Sequence, residues 1–204
     1  MTRVNAVVCI GPDNVIGIKN KLIWKSKRDL EYFKLLTIGN PCIFGSTTYY
    51  GLPNRPLKER LNIVIDHTQE SPIKASFEYG SIHTSCKGIS ISVNKPELAL
   101  FASCNFDDVF VCGGSSIYKY FFDNDLIDTF YVNYITSSDI EKTIKESNSE
   151  DLVRFRINKE DLIHKGYVEQ LDYNKMVQEE WVLPEDNDKN QIIQFSKWDK
   201  IKQA

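Results

Sequence analysis

Apolar residues fall along this chain in short runs, and polar breaks between the runs set the order of elements. Val4 to Ile10 reads as a buried strand, ended by Gly11-Pro12-Asp13-Asn14. Gly17 to Trp24 reads as an irregular loop leading to a helix cap at Ser26. That helix runs through Phe33 and Leu36 to Gly39, a good C-terminal stop. Pro41 to Phe44 is a second strand, and Gly45-Ser46-Thr47-Thr48 opens a second helix. Leu61 to Ile65 and Ile89 to Val93 are the third and fourth strands. Asn94-Lys95-Pro96-Glu97 begins another helix, with proline in the tolerated first turn. Val109 to Cys112 is a fifth strand entering Gly113-Gly114-Ser115-Ser116 and a helix, and Thr129 to Ile135 is a sixth strand. Strands alternating with helices predict an α/β fold with a mostly parallel sheet.

The remainder follows a different pattern. Ser137 to Glu150 is polar and charged, a surface helix or a loop. Gly166 to Asp172 and Met176 to Leu183 read as strands, and Ile192 to Trp198 is expected to pair with the latter across the polar turn 184–190. The whole chain, 1–204, is read as one domain, with 137–165 a polar insertion or surface segment and 166–204 C-terminal strands completing an antiparallel sheet edge.

Composition narrows the class further. Of 204 residues, 42% are hydrophobic and 26% charged, enough for a real core. The formal net charge is −3 and no long basic run occurs, so nucleic acid is not expected as a partner. No apolar stretch approaches the roughly 20 residues of a membrane span, and the N-terminus lacks a signal-peptide core. The five cysteines (Cys9, Cys42, Cys86, Cys104, Cys112) form no Cys-x-x-Cys pair. The histidines (His67, His83, His164) are scattered. A reducing cytoplasm is expected, without disulfides or a metal site.

Three features carry chemistry. Leu22-Ile23-Trp24 is followed by Asp29-Leu30 and Phe33, which sets one acid among apolar neighbours. Asp29 and Phe33 are four apart and so share a helix face. A desolvated carboxyl there gains proton affinity and suits proton handling. Ser26-Lys27-Arg28-Asp29 also fits a capping box, in which the acid is structural. Secondly, Gly45-Ser46-Thr47-Thr48 and Gly113-Gly114-Ser115-Ser116 place glycine and hydroxyls at strand-to-helix junctions. There, free N–H groups can donate to a phosphate. Two such junctions suit a dinucleotide, though neither is a Gly-x-Gly-x-x-Gly fingerprint or a Walker loop. Thirdly, Arg60 at the end of Arg55-Pro56-Leu57-Lys58-Glu59-Arg60 either forks onto a carboxylate or is a surface arginine.

Together these residues resemble the dihydrofolate reductase family, in order over about residues 4 to 135: Val15-Ile16-Gly17, Asn20, Trp24, Asp29-Leu30, Phe33, Gly45 with Thr48, Arg55-Pro56-Leu57 with Arg60, Gly113-Gly114 with Tyr118, and Tyr131. The resemblance implies a single domain around a sheet of about eight strands. It implies reduction of 7,8-dihydrofolate to tetrahydrofolate with NADPH as hydride donor and NADH as an alternative donor. Asp29 and Trp24 are implied as catalytic, Asp29 bonding the pterin 2-amino group and N3 and Trp24 holding a water. Val7, Val8, Leu30, Phe33, Leu52, Arg55, Arg60 and Asn133 are implied to meet the substrate, Arg60 through the glutamate tail. The implied cofactor contacts are Cys9, Ile16, Gly17, Asn20, Leu22, Gly45, Ser46, Thr47, Thr48, Asp66, His67, Gly113, Gly114, Ser115, Ser116, Ile117 and Tyr118. A cis peptide between Gly113 and Gly114 is implied too. No metal, membrane or oligomer is indicated.

The chain departs from the family pattern at several positions. Ile23 stands where proline usually precedes the tryptophan, and Asn133 where threonine usually supports the acid. Ser46 stands where a basic residue usually meets the cofactor 2′-phosphate, and Ser116 is basic in some members. Ser137-Ser138-Asp139-Ile140 replaces a Gly-Asp-Thr loop. Such drift suits a viral or otherwise divergent member. Two alternatives remain: a riboflavin-pathway pyrimidine reductase of the same fold, and a binding or structural protein that has lost activity.

Overall fold

The computed structural model describes residues 1–19, 21–71, 73–77, 89–186 and 190–201. The expected apolar runs are strands: β1 (Arg3–Ile10), β3 (Pro41–Gly45), β4 (Leu61–Ile65), β6 (Ile89–Val93), β7 (Asp108–Val111) and β8 (Thr129–Thr136). Between them lie β2 (Val15–Ile18), α1 (Lys27–Thr37), α2 (Ser46–Gly51), β5 (Ile73–Phe77), α3 (Pro96–Ala102) and α4 (Ser115–Asp123). The chain then continues through α5 (Ser138–Glu146), β9 (Leu152–Arg154), α6 (Lys159–His164), β10 (Tyr167–Glu169), α7 (Tyr173–Glu180) and β11 (Ile192–Lys200).

Nine strands form one sheet in the order β10-β11-β8-β1-β7-β3-β4-β6-β5. Its centre, from β8 to β6, is parallel. Antiparallel strands close both edges, β11 and β10 on one side and β5 on the other.

Alternation along the strands divides the sheet into two faces. Val4, Ala6, Val8 and Ile10 of β1 join Ile43, Ile63, Val109, Val111, Phe130 and Val132 in the main core, which α4 covers with Ile117, Tyr118, Phe121 and Phe122. The intervening residues supply the opposite face. There Cys42, Phe44 and Val64 pack with Tyr49, Phe195 packs with Tyr32, Tyr173 and Val177, and Ile135 packs with Trp24, Val15, Ile140 and Ile144. Burial on both faces explains why the central strands read as continuous apolar runs.

Three expectations need correction. Met176 to Leu183 is not a strand, because α7 occupies Tyr173–Glu180 and buries Tyr173 and Val177. These are four apart, a helical spacing. Ile192 to Trp198 therefore does not pair with it; β11 pairs instead with β8 and β10. The strand expected over Gly166 to Asp172 is only Tyr167–Glu169. Three short strands escape the sequence pattern: β5, which pairs antiparallel with β6, and β2 within the expected irregular loop and β9 after α5, which pair antiparallel in a separate ribbon.

Candidate active site

The cleft face of the sheet gathers the polar residues. Cys9 of β1 and Asn133 of β8 are register partners, which places both side chains on that face. Helix α1 brings Asp29 over them. Ser26 caps this helix, its Oγ accepting the Asp29 amide at 2.9 Å. The Asp29 carboxylate does not complete a capping box; its Oδ1 accepts from Asn133 Nδ2 at 2.8 Å. Local capping and a cleft carboxylate thus coexist in one residue, through its amide and its side chain.

Asp29 is only 8% exposed. Burial pushes its carboxyl pKa up, and hydrogen bonds from Asn133 and the Cys9 thiol offset part of the rise, while the nearby Asp186 charge adds to it. Burial and the Asp29 charge together push the Cys9 thiol well up, so it stays protonated. Trp24 and Asn133 are buried, and Trp24 Nε1 and Asn133 Oδ1 are left without a hydrogen-bond partner. Unused buried polar atoms are rare in folded proteins and call for an explanation. Here Asn133 lies against the Asp29 carboxyl and Trp24 against Cys9, a setting suited to a polar heterocycle or water.

The helix face differs from the expected one. Asp29 is buried with Tyr32, whereas Leu30 is 56% exposed. Leu22 is 58% exposed. Phe33 and Leu52 pack around Cys42, Phe44, Tyr49 and Val64. Val8 lies in the main core, and the Val7 carbonyl accepts the Tyr118 hydroxyl at 2.6 Å.

Arg60 is half-buried and held from two sides. Its Nη1 donates to Thr37 Oγ1 at 3.0 Å, its Nε to the Lys58 carbonyl at 2.9 Å, and its guanidinium lies 6.0 Å from the Phe33 ring centre. These contacts fix the guanidinium beside Phe33 at the end of α1. Arg55 instead donates to the Tyr50 carbonyl at 2.9 Å and stacks on the Tyr50 ring, and a cis peptide joins it to Pro56.

The two glycine junctions converge. Gly45 donates its amide to the Gly113 carbonyl at 2.7 Å. The Gly113-Gly114 peptide is cis. A Cβ on Gly114 would come within 2.8 Å of Thr48 Oγ1, and one on Gly45 within 3.0 Å of Ile117 Cγ1. Only glycine fits this close approach of β3, β7, α2 and α4 without displacing a neighbour. The first N–H groups of a helix have no intrahelical partner, so the starts of α2 and α4 present amides beside Ser46, Thr47, Ser115 and Ser116. Ser115 Oγ donates to the Arg154 carbonyl at 2.6 Å, which ties α4 to the β2–β9 ribbon carrying Ile16 and Gly17.

Asp66 follows Ile65, which pairs with Gly45 across β3 and β4. Its carboxylate accepts from the Thr68 amide and hydroxyl, bonds that lower its pKa. His67 Nδ1 bonds the Asn94 carbonyl at 3.0 Å. Asn20, His83 and Cys86 lie outside the described residues. No local pattern points to Asp186 at this site. It reaches Ser26 across 160 positions, and long-range contacts leave no local pattern.

The family model for dihydrofolate reductase matches residues 3–179. The dihydrofolate reductase of Aedes albopictus is 29% identical over 144 residues, covering 66% of this chain and 74% of the relative. That of Candida albicans is 30% identical over 150 residues, covering 69% of each. A solved dihydrofolate reductase from Enterococcus faecalis, complexed with NADP(H) and RAB-propyl, superposes with a TM-score of 0.62 at 18% identity over 98% of this chain and 97% of that one.

Proposed function

The chain belongs to the dihydrofolate reductase family, and from that premise we propose that it reduces 7,8-dihydrofolate with NADPH in the cytoplasm, with Asp29 as the acid of the site. The observation that carries this reading is the buried Asp29 carboxyl, bonded to Asn133, with the Trp24 indole buried beside Cys9 on the same face of the sheet. A pyrimidine reductase of the riboflavin pathway and an inactive binding protein are not favoured by a family match that spans most of the chain.

The residues present fit the cofactor. Gly45 and Gly114 let the starts of α2 and α4 pack close together, with Thr48 Oγ1 and Ile117 against them, and the amides of Ser46, Thr47, Ser115 and Ser116 with the Thr48 hydroxyl would hold its diphosphate. Ile16, Gly17 and Leu22 approach from the loop before α1, and Ile117 and Tyr118 close the α4 side. When bound, NADPH supplies the hydride that the reaction requires.

The chain's own residues orient and protonate the substrate. The product gains a hydride at C6 and a proton at N5 across the N5=C6 bond of dihydrofolate. Asp29 accepts hydrogen bonds from the pterin 2-amino group and N3 and polarises the ring. Burial raises its proton affinity above that of an ordinary carboxylate. The Trp24 indole N–H holds the water that delivers a proton towards N5. Phe33 and Leu52 form the apolar wall, and Arg60 takes the carboxylate of the glutamate tail. Burial of these groups keeps bulk water from the reacting ring.

The test is NADPH absorbance in the presence of dihydrofolate, for the wild type and for Asp29→Asn. Removing the acid should cost about 100-fold or more in turnover, the scale of general acid catalysis. Activity of the variant within about threefold of wild type would refute the role of Asp29.

A further inference from the structure

The segment 181–186 leaves α7 and crosses the start of α1. Trp181 lies against Tyr32, with ring centres 5.1 Å apart, and Leu183 packs onto the same cluster. At the end of this strap the Asp186 carboxylate grips the first turn of α1. Ser26 Oγ donates to its Oδ2 at 3.0 Å, and the Arg28 amide donates to its Oδ1 at 3.1 Å. The same Ser26 Oγ accepts the Asp29 amide. One chain of bonds therefore runs from Asp186 through Ser26 to the backbone of Asp29.

The arrangement replaces a local device with a distant one. In a capping box, the acid three residues after the cap folds back onto the helix start. Asp29 holds that position but commits its carboxylate to Asn133. Asp186 takes over as the acid of the first turn, where a negative charge also complements the helix dipole.

We propose that Asp186 is a positioning residue: it clamps the Ser26 hydroxyl and the Arg28 amide and thereby holds Asp29 against Asn133. This rests on the dihydrofolate reductase reading above. The groups facing the Asp29 carboxyl are the Cys9 thiol from β1, Asn133 from β8, the Tyr32 hydroxyl from α1, the Tyr118 hydroxyl from α4, and Asp186 from the strap. Among these, Asp186 is the one other carboxylate. Burial is the main cause of the raised proton affinity of Asp29 and the Asp186 charge adds to it, so the clamp holds the acid in place and favours its protonated form.

Two variants separate the two effects. Asp186→Asn keeps an acceptor oxygen and removes the charge. The Asp29 carboxyl, followed by 13C NMR, should then titrate at lower pH than in the wild type. The alkaline decline of kcat/KM for dihydrofolate should move down in pH with it. Asp186→Ala removes the clamp as well, and the KM for dihydrofolate should rise about tenfold, as expected for a displaced catalytic group. The Kd for NADPH should stay unchanged. Glu185→Gln, exposed beside it, is the control and should match the wild type. An unchanged Asp29 titration in Asp186→Asn overturns the proposal, as does Asp186→Ala with lowered Tm but wild-type KM. If Asp186→Ala does not fold, the Asn variant alone decides. Absence of dihydrofolate turnover in the wild type would sink the functional reading, while the NMR titration still judges the clamp.

Discussion

Asp29 pays for its position in the cleft with stability. Its proton affinity is raised in the folded state, so ionising it costs folding free energy. The cost is absent below the unfolded-state pKa, grows as pH rises towards the folded-state value, and persists above it. Asp29→Asn should therefore unfold at a higher temperature than wild type at about pH 8, with the gain gone near pH 4, around the unfolded carboxylate value. Calorimetry at both pH values checks this, and a lower Tm at the alkaline end would contradict it. Arg60 carries a second prediction at this scale. Its guanidinium is already held by Thr37 and Lys58, so little entropy is lost on meeting a carboxylate. Arg60→Leu should weaken dihydrofolate binding by about 2 kcal/mol, the worth of a hydrogen bond to a charged group, with equal affinity in a titration counting against it. Both residues were legible in the sequence because their signal is local: an acid among apolar neighbours, an arginine at a strand start. The neighbours of Asp29 were legible only in part: the family resemblance pointed to Asn133 as the support of the acid, which it is, but gave Cys9 to the cofactor. Both meet Asp29 through the register of β1 with β8, which no short window contains.

Elements were legible where burial is two-sided. The runs at β1, β3, β4, β7 and β8 are apolar because both faces of the central sheet are covered. Helix α7 was misread because Met176, Val177, Trp181 and Val182 give a short apolar pattern compatible with either period, and length alone did not arbitrate. The β2–β9 ribbon gave too little signal, since its strands span four and three residues. Yet this ribbon holds the loop before α1 in place. Lys19 donates its amide to the Asp151 carbonyl at 2.9 Å and pairs with the Asp151 side chain at 3.2 Å. Gly17 sits at the tightest point: a Cβ there would lie 2.8 Å from the Lys21 carbonyl oxygen. That atom belongs to the backbone and cannot rotate away. Gly17→Ala should open the loop and raise the Kd for NADPH about tenfold, roughly 1.4 kcal/mol. A fluorescence titration giving the wild-type Kd would show that the loop plays no part in holding the cofactor.

Across the whole molecule, the chemistry collects where the parallel strands end. Gly45, Asp66, Gly113 and Asn133 each lie at or just beyond the C-terminal part of a strand, the usual place for ligands in an open α/β sheet. On the proposed reading the fold would supply the amides for a diphosphate, while the positions expected at the 2′-phosphate are not cationic among the described residues. Ser46 and Ser116 offer only hydroxyls, and Asp66 follows the neighbouring strand with its carboxylate turned onto Thr68. Arginine and lysine give the strong, charge-assisted phosphate contacts. Without them NADPH loses an advantage that NADH never had, so the gap in kcat/KM between the two should be small. His67 follows Asp66, with its Nδ1 bonded to the Asn94 carbonyl. Measuring kcat/KM for NADPH and for NADH, in the wild type and in His67→Gln, decides the matter. A large NADPH preference in both proteins would mean that a cation from elsewhere in the chain binds the 2′-phosphate, and that neither Ser46 nor His67 governs selectivity.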